Sequence, residues 1–144
     1  MSKTVLANTL YSATATATGG RNGSVKTDDG VLELKLQMPK SLGGGGTEAG
    51  TNPEQLFAAG YAACFGSALE HVARAKKVTT GPVAITAKVS IGQAGAGFGL
   101  AVELTASLPE LPRDQAEALV QAAHQVCPYS NATRDNIAVD LRIA

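Results

Sequence analysis

The groups in this 144-residue sequence best suited to chemistry at neutral pH are two cysteines, Cys64 and Cys127. A thiolate is a nucleophile that oxidises reversibly, whereas a neutral thiol does little, so surroundings decide which kind a cysteine is. Cys64 lies in the apolar run from Leu56 to Gly66. Burial there raises a thiol's pKa, and a buried cysteine usually behaves as a small hydrophobe. A helix dipole gives no help, because Cys64 falls about three turns past the start of its helix. A reactive Cys64 therefore needs a cation brought from elsewhere in the chain.

Neither histidine fills that place by spacing. His71 is on the same helix face but ~10 Å along the axis, too far for a hydrogen bond. His124 falls near the polar edge of its own helix and reads as solvated. A zinc site of Cys64, His71, His124 and Cys127 would have the spacings Cys-x6-His and His-x2-Cys, which match no common structural zinc pattern. Arg21, between Gly19-Gly20 and Gly23, can be presented on a short defined turn, although a solvated turn arginine is the plainer reading. Glu54 has an ordinary role as the acid of a capping box begun by Thr51. Spacing alone does not join Arg21, Glu54 and Cys64.

The elements that must position these residues follow from periodicity. Leu10 to Thr18 alternates, with Tyr11, Ala13, Ala15 and Ala17 on one side and hydroxyls on the other, and predicts a half-buried strand. Gly19 to Gly23 is a turn, Ser24 to Thr27 a second strand, and Asp28-Asp29-Gly30 another turn. A third strand has Leu32, Leu34, Leu36 and Met38 facing inward, which makes an antiparallel meander. Ser41 to Gly50 is a glycine-rich loop. A helix from Asn52 to Lys77 follows, and its first two-thirds have no polar stripe, so it must be covered all round.

Val83 to Ile91 alternates, and the pattern resumes at Phe98 after a turn over Gly92 to Gly97, giving a long hairpin. Pro112 opens a second helix in which Ala116, Leu119, Val120, Ala123 and Cys127 share a face opposite Glu117, Gln121 and Gln125. Pro128 disfavours helical geometry at Cys127 and ends that helix. Ile137, Val139, Leu141 and Ile143 form a closing strand. The order of elements predicts an α+β fold in one domain, 1–144, with an antiparallel sheet and two main helices.

Composition limits the partners. Twelve Lys+Arg balance twelve Asp+Glu, without the basic surface of a nucleic-acid binder. No run approaches the ~20 apolar residues that cross a bilayer. The first residues alternate polar with apolar and lack the continuous core of a signal peptide, so the expected location is the cytoplasm. A cysteine pair there is more often reactive than a static staple.

The segment Gly50-Thr51-Asn52-Pro53-Glu54-Gln55-Leu56-Phe57-Ala58-Ala59-Gly60-Tyr61-Ala62-Ala63-Cys64-Phe65 closely resembles the signature of the bacterial organic hydroperoxide resistance proteins, in the superfamily of the osmotically inducible protein C. The likeness continues in Val126-Cys127-Pro128-Tyr129-Ser130-Asn131-Ala132-Thr133-Arg134, in Thr18-Gly19-Gly20-Arg21-Asn22-Gly23 and in Leu42-Gly43-Gly44, so it covers nearly the whole chain. Asp135 stands where the pattern has glycine.

That resemblance implies a thiol peroxidase for organic, including lipid, hydroperoxides. Cys64 would be the peroxidatic cysteine and Cys127 the resolving one. Arg21 would hold the thiolate and the peroxide, and Glu54 would orient Arg21. It also implies an OsmC-like intertwined homodimer with no bound metal, haem or flavin, recycled by an external dithiol such as dihydrolipoamide or a lipoylated protein. Phe57, Tyr61 and Phe65 make the surroundings of Cys64 apolar, which favours bulky substrates over hydrogen peroxide. A non-catalytic redox sensor or binding protein using the same cysteine pair is the alternative reading.

Overall fold

Short alternating runs joined by glycine turns build the first three strands. β1 (Ala15–Thr18), β2 (Ser24–Thr27) and β3 (Glu33–Lys35) pair antiparallel in that order. This computed structural model describes residues 3–46 and 50–144, and contacts gather in two units, Met1–Pro53 and Glu54–Ala144. Between β1 and β2 a 3-10 turn spans Gly20–Asn22, and Gly19 (φ 80°) and Gly20 (φ 59°) take the left-handed backbone this reversal requires. The β2–β3 turn is closed by Asp29, whose Oδ1 accepts from the Val31 N–H at 3.0 Å and the Thr27 hydroxyl at 2.7 Å.

Two expectations are corrected in this unit. The first strand does not begin at Leu10: β2 ends at Thr27, and one further bond, from the Asp28 N–H to the Thr14 carbonyl at 3.0 Å, extends the ladder. Leu10 and Tyr11 are exposed. Of the four residues expected to face inward from the third strand, only Leu36 is buried, and Leu32 and Leu34 stay exposed. Among the described residues the unit has only 3-10 turns beside its sheet, hence no apolar layer of its own for that face. The glycine-rich loop opens with a 3-10 turn over Lys40–Leu42; residues 47–49 of that loop, like Met1 and Ser2, lie outside the described residues.

The second unit is built on α1 (Pro53–Ala75), β4 (Ala84–Ala94), β5 (Gly97–Ser107), α2 (Arg113–Val126), the short α3 (Pro128–Thr133) and β6 (Val139–Ile143). Its sheet has the order β4-β5-β6. The period of two places three apolar rungs across one face: Ile85–Ala106–Ile143, Ala87–Leu104–Leu141 and Val89–Val102–Val139. These side chains join one core with Tyr61, Phe65 and Leu69 of α1 and Ala116, Leu119, Val120 and Ala123 of α2. The face predicted for α2 is the buried one.

Three details differ from the sequence reading. β6 pairs parallel to β5, because α2 and α3 form a crossover that returns the chain in the same direction. The hairpin ladder runs through Gly92 and Gln93 to the pair Ala94–Gly97, leaving a two-residue turn with Gly95 at φ 56°. Finally, α1 turns Tyr61, Phe65, Leu69 and Val72 into the core of this unit, while Ala59, Ala63 and Ser67 are exposed.

The hairpin turn yields a test. A Cβ at Gly95 meets nothing within 4 Å, so backbone strain alone sets the cost of a side chain. Gly95→Ala is expected to destabilise by about 1 kcal/mol and Gly95→Asn by less, since asparagine tolerates the left-handed region. Equal denaturant midpoints for wild type and Gly95→Ala would refute this account.

Candidate active site

The second thiol sits at the break between α2 and α3. Cys127 closes α2 through its N–H to the Ala123 carbonyl at 2.9 Å, then adopts φ −64°, ψ 124°. That extended geometry is what a following proline requires, and Pro128, which has no N–H to lose, starts α3. The Cys127 side chain, on the buried face of α2, is held inside the core at 0% exposure. Its Sγ lies 3.5 Å from Cys64 Sγ on α1. Both thiols are free, Cys127 buried and Cys64 partly exposed. The two cysteines singled out in the sequence are thus brought together.

Their environments divide the chemistry between them. A partly exposed thiol can meet a substrate, whereas a buried one meets mainly its neighbour. Burial pushes the Cys64 thiol up, a hydrogen bond from the Tyr129 backbone pulls it down, and the adjoining Cys127 pushes it up again. The Tyr129 N–H is among the first donors of α3, which have no carbonyl partner within that helix. It stabilises the thiolate but does not overcome the burial. The rings of Phe57, Tyr61 and Tyr129 group beside this helix, with centroids 5.6–6.0 Å apart. Gly60 makes room for that cluster, since a Cβ there would stand 2.7 Å from Tyr129 Oη. Phe65 is fully buried and belongs to the core.

A polar network that the sequence reading missed lies in the same unit. Tyr61 Oη is 2.7 Å from Ser130 Oγ and 3.0 Å from Thr133 Oγ1, and Ser130 Oγ is 2.8 Å from His124 Nδ1. His124 was expected to be solvated; it is instead partly buried, because α3 folds back beside the end of α2. Arg134 Nη1 donates to the His124 carbonyl at 2.8 Å. Burial, and then the nearby Arg134 charge, hold the imidazole below its usual pKa of 6.5. The available signal was the spacing of His124 and Ser130, three residues on either side of Cys127.

The remaining candidates sit as follows. Arg21 is on the 3-10 turn of the first unit, partly buried. Glu54 is in the first turn of α1, where a carboxylate suits the helix dipole. His71 is exposed farther along α1. Among the described residues no three His, Cys, Asp or Glu side chains group so as to hold a metal ion. No helix among them is long and apolar enough to cross a membrane.

Comparison with known proteins places this arrangement in a family. The family model for OsmC-like proteins matches residues 44–142. An organic hydroperoxide resistance protein of Xanthomonas axonopodis pv. citri is 54% identical over 136 residues, 94% of this chain and 95% of that protein. Organic hydroperoxide resistance protein OhrB of Bacillus subtilis is 48% identical, covering 93% and 98%. The crystal structure of an organic hydroperoxide resistance protein from Legionella pneumophila superposes with a TM-score of 0.90 at 52% identity, over 95% of this chain and 99% of that one.

The lowered His124 pKa has a measurable consequence. Unfolded His124 takes up a proton near 6.5 and the folded residue only at lower pH, so below 6.5 the unfolded state binds more protons. Its contribution to stability is therefore complete above pH 6.5 and is lost as the pH falls below that value. Between about pH 7.5 and about pH 5.5, His124→Gln is expected to lose less stability than wild type. Parallel pH profiles of the denaturation midpoint for the two proteins would contradict this.

Proposed function

The chain belongs to the OsmC-like family, among the organic hydroperoxide resistance proteins, and on that premise we propose that it is a thiol peroxidase reducing organic hydroperoxides to alcohols. The observation that carries the reading is the pair of free thiols 3.5 Å apart, one accessible and one buried. Cys64, the accessible thiol, attacks one peroxide oxygen as the thiolate. The O–O bond breaks, the alkoxide leaves and takes a proton, and Cys64 becomes a sulfenic acid. Cys127 then displaces hydroxide from that sulfur to form the Cys64–Cys127 disulfide. An external dithiol, by this reading dihydrolipoamide or a lipoylated protein, restores both thiols by exchange. The electrons come from sulfur throughout, so the cycle needs no bound metal, haem or flavin.

Because burial opposes the Cys64 thiolate, the reaction needs a fixed positive charge. Arg21 is assigned that role, holding the thiolate and the departing alkoxide with donors that never lose their charge. Glu54 is assigned the role of orienting it, which lowers the cost of keeping a cation out of water. The aromatic cluster of Phe57, Tyr61 and Tyr129 supports a preference for bulky, apolar hydroperoxides. The protein is proposed to act in the cytoplasm as a homodimer, in the response to organic peroxide stress. Support for the dimer comes from the exposed Ala59 and Ala63 of α1 and from exposed Val5, Leu6, Leu10 and Tyr11, apolar surface of the kind a partner chain covers.

Two outcomes are expected. With dihydrolipoamide as reductant the protein consumes a bulky organic hydroperoxide faster than hydrogen peroxide, and thioredoxin and glutathione substitute poorly. Cys64→Ser abolishes the reaction, while Cys127→Ser permits one oxidation and stops at the Cys64 sulfenic acid, as mass spectrometry after one equivalent of peroxide reads directly. An oxygen adduct confined to Cys127 would reverse the assignment. Separately, Arg21→Lys keeps the charge but loses the planar fork, and should slow Cys64 oxidation by about a hundredfold. Wild-type turnover in that variant would remove Arg21 from the mechanism.

A further inference from the structure

The buried hydroxyl chain has no part in the reaction just described, yet it follows the thiols closely. Tyr61 precedes Cys64 by three residues on α1, and His124 and Ser130 stand three before and three after Cys127. Side chains three apart on a helix are neighbours, so Tyr61 shares a side of α1 with Cys64 and His124 a side of α2 with Cys127. The hydrogen bonds Tyr61–Ser130 (2.7 Å) and Ser130–His124 (2.8 Å) therefore cross-tie the same helices that the two sulfurs join, with α3 between them. Tyr61 and Ser130 are both at 0% exposure.

An apolar core would not need these groups. Taking hydroxyls and an imidazole out of water costs free energy that their mutual hydrogen bonds roughly offset, so the network adds direction more than stability. Direction is what this place lacks otherwise. α3 has six residues, too few to persist by its own helical bonds, and it begins directly after the residue that carries the second thiol. From this geometry we infer that Ser130, tied to Tyr61 and His124, is a positioning residue that keeps Cys127 within reach of Cys64 when the disulfide forms. The inference rests on the peroxidase reading for the step it serves. In that step the Cys127 sulfur gives an electron pair to the Cys64 sulfenic sulfur. The S–S bond forms, the S–O bond breaks, and hydroxide leaves with the Cys127 proton as water. Cys127 is oxidised and Cys64 is reduced. The sulfurs must close from 3.5 Å to about 2.05 Å, a movement small enough for a fixed α3 and easily lost by a loose one.

The test separates positioning from mere support of the fold. After one equivalent of organic hydroperoxide, a sulfenic-acid trap such as dimedone competes with Cys127 for oxidised Cys64. Ser130→Ala is expected to slow disulfide formation about tenfold and raise the trapped fraction accordingly, with a smaller effect on the oxidation of Cys64. In dithiothreitol redox buffers its disulfide should be about tenfold less favoured, a midpoint about 30 mV less negative. Ser130→Thr, which keeps the hydroxyl, should restore both readouts; a role in stability alone would move the denaturation midpoint and leave both unchanged. Tyr61→Phe keeps the ring and removes only the Oη, and gives the same answer should Ser130→Ala not fold. Wild-type trapping and a wild-type midpoint in the hydroxyl-less variant would overturn the inference. If wild type forms no sulfenic acid, the peroxidase reading falls, while the redox midpoints still decide whether Ser130 positions the pair.

Discussion

The placement of α3 beside the two thiols depends on a helix that stops at the right residue. Had α2 continued past Val126, the Cys127 side chain would still lie on the face shared with Ala123, because its φ of −64° is helical, but its N–H and carbonyl would both be used within one helix. Pro128 prevents this by forcing the residue before it into extended geometry, so Cys127 ends one helix through its N–H and begins another through its carbonyl, which accepts from the Asn131 N–H at 2.9 Å. The turn costs no buried donor, because the missing N–H belongs to the first position of α3, where none is needed. The same break frees the Tyr129 N–H to face the Cys64 sulfur. One proline thus sets the direction α3 takes and which backbone donor Cys64 receives.

The chemistry of Cys64 is a balance that leans toward the neutral thiol. Burial is the larger influence and a single backbone donor the smaller, with the neighbouring cysteine adding to burial. Bringing its pKa down takes a nearby cation or further donors.

The sheet of the second unit holds the helices that carry the two thiols. Its three apolar rungs give α1 and α2 a common floor, and the parallel return of β6 is what lets α2 and α3 lie as one crossover between neighbouring strands. Leu104, central in the middle rung, is nearly inaccessible, whereas the corresponding residues of the outer strands are only partly buried. The most deeply buried part of the floor therefore lies on the strand that both neighbours share.

Much of this was legible in the sequence because it is local. Alternation at Ser24–Thr27, along the hairpin and in the closing strand, the apolar face of α2 and the stop at Pro128 all follow from backbone preferences acting over a few residues. The two cysteines were visible as chemistry, and a resemblance over long contiguous blocks named the family that 54% identity then showed. Strand ends, the direction of β6 and the exposed residues of α1 were not legible, since each depends on a partner segment distant in the chain. The Sγ–Sγ contact and the Tyr61–Ser130–His124 chain belong to the same class. Spacing shows that His124, Cys127 and Ser130 recur at intervals of three, but a helix break lies among them, and only the folded path of that break turns Ser130 back toward His124 and Tyr61. Residue types and local periodicity determined which groups could react; tertiary packing decided which ones meet, because hydrogen bonds and sulfur contacts act over a few ångströms between residues more than sixty positions apart.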